Sequence, residues 1–416
     1  MTTFTTKSQR TQSWAVMALL GLATPLVAAS SPQDGQKVSL EEKLLATIPE
    51  GLQFKPNCQI GHERRQDAVF RHDGRGVAYP ARRGDKAFIM FGDSKGPDLA
   101  KCFSPMFSSD GRSWAYWAST DKEAYIHSNL GLLELGAGYE SLGVPVVSPD
   151  GRMIAYTAGN RNKRFVIAGG KKFGEQFETV LSDPQFSPDG SKIGYSIQVT
   201  SDDGRVRETI AVGNEILLGM SAGFERIKHL VFSPTGDRVV LVAEKDLPLC
   251  REFIVMDGKD GPVCRQIDRP VFSPDGKKLA YAAAETGRWR ILQGNTRSEE
   301  FHAVGGLTFS PDGAELSYWA KEGTDSPAIV IKGGWKSKGY PDIIWGPTYS
   351  PDGRKITFAV GRRHSDQWKE FVVVGDKDSE LFDEVWSPRF SPDGRNVVFG
   401  ARVGRELWWK VMPIPN

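Results

Sequence analysis

The chain has 416 residues, 25% of them charged and 39% hydrophobic, with a formal net charge of +2. That is ordinary for a folded soluble protein and ample for a core. The first 29 residues contribute Lys7 and Arg10 and no acid, so the remainder is neutral. Nothing in the charge calls for nucleic acid or an anionic membrane surface as a partner.

In chain order, the polar, basic stretch MTTFTTKSQR leads into WAVMALLGLATPLVAA, an apolar run broken by Pro25 and ending in Val27, Ala28 and Ala29. The run is shorter than the ~20 residues a spanning helix needs. The pattern is that of a secretory signal peptide over residues 1–29, with a mature chain starting near Ser30 and no following cysteine to carry a lipid. The expected location is therefore periplasmic or secreted, with no membrane span after cleavage. Export permits disulfides. The four cysteines, Cys58, Cys102, Cys250 and Cys264, allow three connectivities, among which sequence does not choose. Cys250 and Cys264 flank a hairpin-like stretch, REFIVMDGKDGPVC, and Cys58 with Cys102 is the remaining pair.

Residues 30–51 read as a linker, with one brief helix expected over SLEEKLLATI, where Ser39 and Glu42 occupy capping-box positions. From residue 52 to 416 the chain is a repeat array. Its copies are VFRHDGRGVAY, MFSSDGRSWAY, VVSPDGRMIAY, QFSPDGSKIGY, VFSPTGDRVVL, VFSPDGKKLAY, TFSPDGAELSY, TYSPDGRKITF and RFSPDGRNVVF. Successive copies are 37 to 46 residues apart, measured from Gly74 to Gly394.

Each copy makes sense as a tight hairpin. Pro392 sets φ for a type I corner, Asp393 bonds its own backbone, and Gly394 takes the left-handed conformation that follows. Phe390, Val397 and Phe399 alternate around the turn with the period of strands. A further proline, as in Pro105, Pro145, Pro184, Pro270, Pro347 and Pro388, is expected to mark where the chain enters the first strand. A second β-rich run, such as EFIVMD or EFVVVG, follows about ten residues after each turn. The unit is four antiparallel strands in roughly 40 residues. One such sheet cannot bury both faces alone, and radial stacking into a β-propeller solves this.

The phrase FSPDGKKLAY, with a later FVVVGDKDSELFDEV, resembles the WD40-like repeat (PD40) of TolB-type propellers, also found in the propeller domains of prolyl-oligopeptidase relatives. The resemblance covers residues 66–412 and implies an all-β propeller. The chain has no stretch resembling TolB's separate N-terminal α/β domain, and no hydrolase domain of the peptidase kind. Nine copies mean nine blades; eight is the alternative, because VFRHDG has lost the proline and serine. The array ends at LWWKVMPIPN, after a third strand, so an N-terminal strand is expected to close the ring, and Phe54–Ile60 is the segment expected to do so.

Chemistry is sparse. Gly92-Asp93-Ser94-Lys95-Gly96 fits the serine nucleophile elbow, but PDLAKC is no helix to follow it, so the match reads as a turn. His62, His72, His127, His229, His302 and His364 have no metal-ligand spacing, and no cofactor or metal is expected. Binding residues are expected on the loops joining second to third strands: Arg82, Arg83, Arg161, Arg205, Arg362, Arg363, His364, Trp368, Arg402 and Arg405. Trp345, Trp386 and Phe103 sit at the strand starts of the same end. Arginine with tryptophan suits a protein hot spot or an acidic glycan. The sequence therefore points to an exported, non-enzymatic propeller that binds a protein or cell-envelope glycan through one end of the ring. A lyase or hydrolase acting on an anionic polysaccharide is the alternative, and a bare structural scaffold the third.

Overall fold

The computed structural model describes residues 40–54, 68–103, 105–121, 123–131, 139–160, 162–200, 203–217, 224–245 and 251–414. The signal-peptide stretch, Cys58, Cys250, His62 and Arg161 lie outside them. Nine antiparallel sheets follow one another and form a nine-bladed β-propeller. In order the blades are 53–95, 101–128, 141–173, 179–216, 226–264, 266–297, 303–336, 342–378, and 384–413 with 43–47. The copy that lost its serine and proline still builds blade 1, with strands at Val69–Phe70, Val77–Arg83 and Lys86–Phe91. No helix is present among the described residues, and none there is long and apolar enough to cross a membrane.

The repeated turn is held by its own side chains. In blade 9 the Ser391 hydroxyl donates to Asp393 Oδ1 at 2.6 Å and accepts the Asn396 N–H at 3.0 Å. Asp393 Oδ1 accepts the Arg395 N–H at 3.1 Å, and the Gly394 N–H donates to Ser391 O at 2.9 Å. Gly394 has φ 68°, a conformation costly for any residue with a Cβ. Ser391 is fully buried, so the small hydroxyl is what lets the turn fold back under its own strand. Where the aspartate is missing, in blade 5, Asp237 after the glycine accepts from Ser233 instead, at 2.8 Å. In blade 1, Arg71 donates to Asp73 at 2.8 Å in place of the serine.

The second proline does not start the first strand, as the sequence suggested. It interrupts it. In blade 6 the inner strand is split into Gln266–Ile267 and Val271–Phe272 around Pro270. In blades 8 and 9 the strand continues past Pro347 and Pro388, with register shifts at Trp345/Thr348 and Trp386/Arg389. Proline lacks the N–H a continuous ladder would need, so the strand breaks or bulges there.

Closure also differs from expectation. Lys43–Thr47, part of the stretch expected to be helical, is a strand paired antiparallel with the last strand, Lys43 opposite Trp409 and Thr47 opposite Glu406. The propeller therefore begins at Lys43, not residue 52. Phe54 belongs to Gln53–Phe54, which pairs with Ala81 and Arg82 inside blade 1, and residues 55–60 lie outside the described set. A ten-residue helix is marginal in water, whereas the open edge of blade 9 offers a full row of backbone partners. Ala46 and Ile48 bury against Leu407 and Trp409. The Ile48 N–H donates to Arg405 O at 2.7 Å, and Arg405 Nε donates back to Ile48 O at 2.8 Å.

Blades adhere face to face through apolar clusters that span neighbours. Val242, Ile254 and Cys264 of blade 5 meet Phe272, Tyr281 and Leu292 of blade 6. A buried carboxylate adds a polar link. Glu252 of blade 5 accepts the Ile267 N–H of blade 6 at 2.6 Å and the Lys228 ammonium at 2.6 Å. Glu208 accepts the Ile227 N–H, and Glu370 the Val385 N–H, in the same way across blades 4–5 and 8–9, each at 2.8 Å. Cys264 is a buried thiol whose Sγ donates to Pro262 O at 3.9 Å; Cys102 is buried too.

Both the carboxylate links and the serine–aspartate turns lend themselves to measurement. Glu252→Ala strands a buried N–H and an ammonium, and should lower stability in urea titrations by about 3 kcal/mol. Asp189 has its carboxyl pulled down to about 2 by the hydroxyls of Ser187 and Ser191 and the Ser191 N–H. Its folded-state value is depressed, so its contribution is whole above the ordinary carboxylate range and disappears as pH falls toward 2. Asp189→Asn should therefore start less stable at neutral pH and decline less steeply between pH about 4 and about 2, as read by denaturation midpoints.

Candidate functional site

The ring has two unlike ends. One carries the serine–aspartate turns. The other carries the hairpins joining second to third strands, where the sequence placed its arginines.

The longest strand among the described residues is the second of blade 8, Ile356–His364, which pairs with Gln367–Val374 as a hairpin. Its two-residue tip is Ser365-Asp366, both at positive φ (47° and 64°). Such a turn normally takes Asn-Gly, so this tip is under strain. Trp368 lies across from Arg363 and is 46% exposed. Its indole is seated on Gly361, where a Cβ would come within 2.1 Å of the ring, and Nε1 donates to Glu370 Oε1 at 3.1 Å. Any side chain at 361 would unseat it. Arg362 lies with its guanidinium 4.8 Å from the centroid of the Phe371 ring. Arg363 and His364 are exposed. In blade 1, Arg82 is half-buried with Nε unbonded, and Arg83 is exposed opposite Lys86.

Other members of the expected set serve the fold. Arg402 donates to Glu384 at 2.8 Å and lies 3.5 Å from Asp383, which also pairs with Lys369 of blade 8 at 2.5 Å. Burial raises Asp383, but Lys369, the Gly404 N–H and Arg402 outweigh it, and its carboxyl stays below the usual range. Arg405 holds the closing strand. Trp345 donates Nε1 to Val385 O at 2.9 Å. Trp386 is 3% exposed and packs 5.3 Å from Phe70 across the blade 9–blade 1 seam. Phe103 stacks on Trp117 at 4.6 Å. These aromatics pack within and between blades. Arg205 is exposed beside Asp203 in blade 4, on the far side of the ring. The arginines thus do not form one cluster: Arg362 and Arg363 stand on blade 8, Arg82 and Arg83 on blade 1, and Arg205 apart.

The histidines are equally dispersed. His72 and His229 are both held down near pH 4. Burial is the main cause, with Arg389 acting on His72 and Arg269 and Lys228 on His229. His127 shares a hydrogen bond of 2.9 Å with the Tyr116 hydroxyl. Among the described residues no three His, Cys, Asp or Glu side chains converge as metal ligands. The elbow-like GDSKG is a turn between the strands Lys86–Phe91 and Ser94–Lys95. Its aspartate fastens the ring, since Asp93 accepts the Thr47 N–H of the closing strand at 3.0 Å. The sequence carried no sign of that bond, which joins residues 46 positions apart.

Asp93→Ala should accordingly cost about 1 kcal/mol in thermal or urea unfolding. Ser94→Ala should be silent there, and wild-type protein should take no label from a fluorophosphonate probe.

No family model matches the chain, and no curated protein matches it. Solved structures do. TolB from Acinetobacter baumannii is 16% identical, with 62% of this chain and 78% of that one covered and a TM-score of 0.30. An oligogalacturonate lyase in complex with manganese is 11% identical, over 91% of this chain and 99% of that one, with a TM-score of 0.39. The β-propeller domain of the trilobed protease from Pyrococcus furiosus is 13% identical, over 76% and 98%, with a TM-score of 0.34. At these identities the likeness is one of fold alone. The chain is a nine-bladed β-propeller whose solved neighbours include TolB proteins, peptidase propellers and a lyase.

Proposed function

We propose that the chain is an exported, non-enzymatic propeller that binds a protein or cell-envelope ligand through the hairpin end of the ring. The binding residues are Arg362, Arg363, His364 and Trp368 of blade 8, with Arg82 and Arg83 of blade 1. One observation carries the reading. Trp368 stands 46% exposed on the blade 8 hairpin, seated on Gly361 and bonded to Glu370, beside an Arg363 that has no ion-pair partner among the described residues. A tryptophan left 46% exposed keeps much of its apolar surface outside the core, and a fixed aromatic beside an exposed guanidinium is the chemistry of a binding anchor. The leading segment 1–29 supports export.

The test is recovery of partners from an envelope extract by immobilised full-length protein. Arg363→Glu, and separately Trp368→Ala, should each reduce recovery at least ten-fold, with Arg363→Glu, an exposed side chain, leaving the thermal midpoint unchanged. Equal recovery by all three forms would reject this face. Consumption of an anionic oligosaccharide by the purified protein would replace the binding reading with the lyase or hydrolase one.

A further inference from the structure

We propose that the neighbouring hairpins of blades 8 and 9 form one slot that binds an acidic stretch of a partner polypeptide, seating an apolar side chain of it between Trp368 and Val403. This rests on the reading of the hairpin end as the binding end, and it adds a second blade and a class of partner.

Two observations put Trp368 and Val403 together. The first is strand parity. Ala359 and Val372 of blade 8 pack with Phe399 and Ala401 of blade 9. Side chains two apart along a strand share a face. Gly361 and Arg363 therefore continue the blade 8 face, and Val403 continues the blade 9 face that meets it. Trp368 stands opposite Arg363, and Glu370 opposite Gly361, on that same blade 8 face. The second is a shared hydrogen-bond acceptor. Asp383 accepts the Lys369 ammonium through Oδ1 at 2.5 Å and the Gly404 N–H through Oδ2 at 2.6 Å. One carboxylate thus joins the residue after Trp368 to the residue after Val403.

Exposure and chemistry indicate what enters. Trp368 and Val403 are each 46% exposed. Apolar side chains left bare on two facing sheets bury favourably against a third apolar group. A valine offers a sugar neither a hydrogen bond nor an aromatic face, so a wall made by Val403 suits an apolar side chain of a polypeptide and not a glycan.

Charge sets the flanking residues. Blade 8 carries Arg362 and Arg363 against Asp366 on this hairpin, none of them ion-paired among the described residues. Blade 9 is balanced, with Arg405 beside Glu406, whose Oε2 accepts the Trp408 indole N–H at 3.0 Å. Blade 1, across the seam from blade 9, adds exposed Arg83 and Lys86 against Asp85. The excess on both sides of Val403 is positive, and its complement is a run of aspartate or glutamate beside the inserted side chain.

The experiment uses the full chain in its own cells, with the photo-crosslinking residue benzoylphenylalanine in place of Gln367, of Val403 or, on the serine–aspartate end, of Lys277. The expected result is that positions 367 and 403 join overlapping peptides of one and the same polypeptide, and that position 277 does not. Those peptides should hold an apolar residue flanked by aspartate or glutamate. In the 367 form, Val403→Asp and Arg363→Glu should each lower the yield about five-fold or more, and Val403→Leu should leave it unchanged. An adduct at only one of the two hairpins, or different polypeptides at the two, overturns the shared slot and leaves the hairpin end as the binding end. Adducts at 277 alone, or none at any position, overturn both. An adduct of sugar, one with the mass of a second copy of this chain, or a yield indifferent to Val403→Asp overturns the proposal.

Discussion

Every blade of this protein depends on its neighbours for burial. A four-stranded sheet of about forty residues has two apolar faces and no second layer of its own. Phe232 of blade 5 reaches the Gly194 position of blade 4, and Phe70 of blade 1 the Gly400 position of blade 9. The ring is the arrangement in which each face finds a partner, and it holds only if the first and last blades meet. The seam is accordingly dense. Trp386 packs on Phe70, Arg389 donates to His72 O at 2.5 Å, and Arg405 and Ile48 exchange two hydrogen bonds. Arg389 is buried deeply enough that its guanidinium is pulled down to about 10.

The same constraint divides the molecule into a conservative end and a free one. The serine–aspartate turns bond inward to themselves and outward to the next blade. Lys192 donates to Gly236 O, Arg238 to Gly276 O and Lys278 to Gly313 O, at 2.7 to 3.2 Å. Lengthening or recharging such a turn disturbs two blades. At the other end the ties are fewer and lie in particular hairpins, such as Arg405 on the closing strand and Asp383 between Lys369 and Arg402, and it is there that Trp368 and Arg363, which has no ion pair among the described residues, stand exposed.

How far the sequence alone could be read follows from this division. The nine turns were legible because proline, aspartate and glycine act locally, within four residues. The serine's double bond to Asp393 and Asn396 was also local, but it hides behind an unremarkable residue type. Trp386 and Trp368 were both expected on the binding end. One is core and the other is exposed, because burial depends on which neighbour stands across the interface. Arg402 and Arg363 were likewise alike until Asp383 and Glu384 came close to one of them only.

The sequence by itself determined the blade, its strand period and the need for a strand from the other terminus, since all three rest on short-range pattern and counting, while it left nine or eight blades open and the structure decided nine. Only the tertiary structure decided that Lys43–Thr47 is that strand. Its local signals favour a helix, and the unpaired edge at Glu406–Trp409, some 360 residues away in the chain, supplies the hydrogen bonds that override them. Tertiary structure likewise decided which arginines pair with acids, as Arg402 does with Asp383 and Glu384, because ion pairing is a property of distance in space and not of position along the chain.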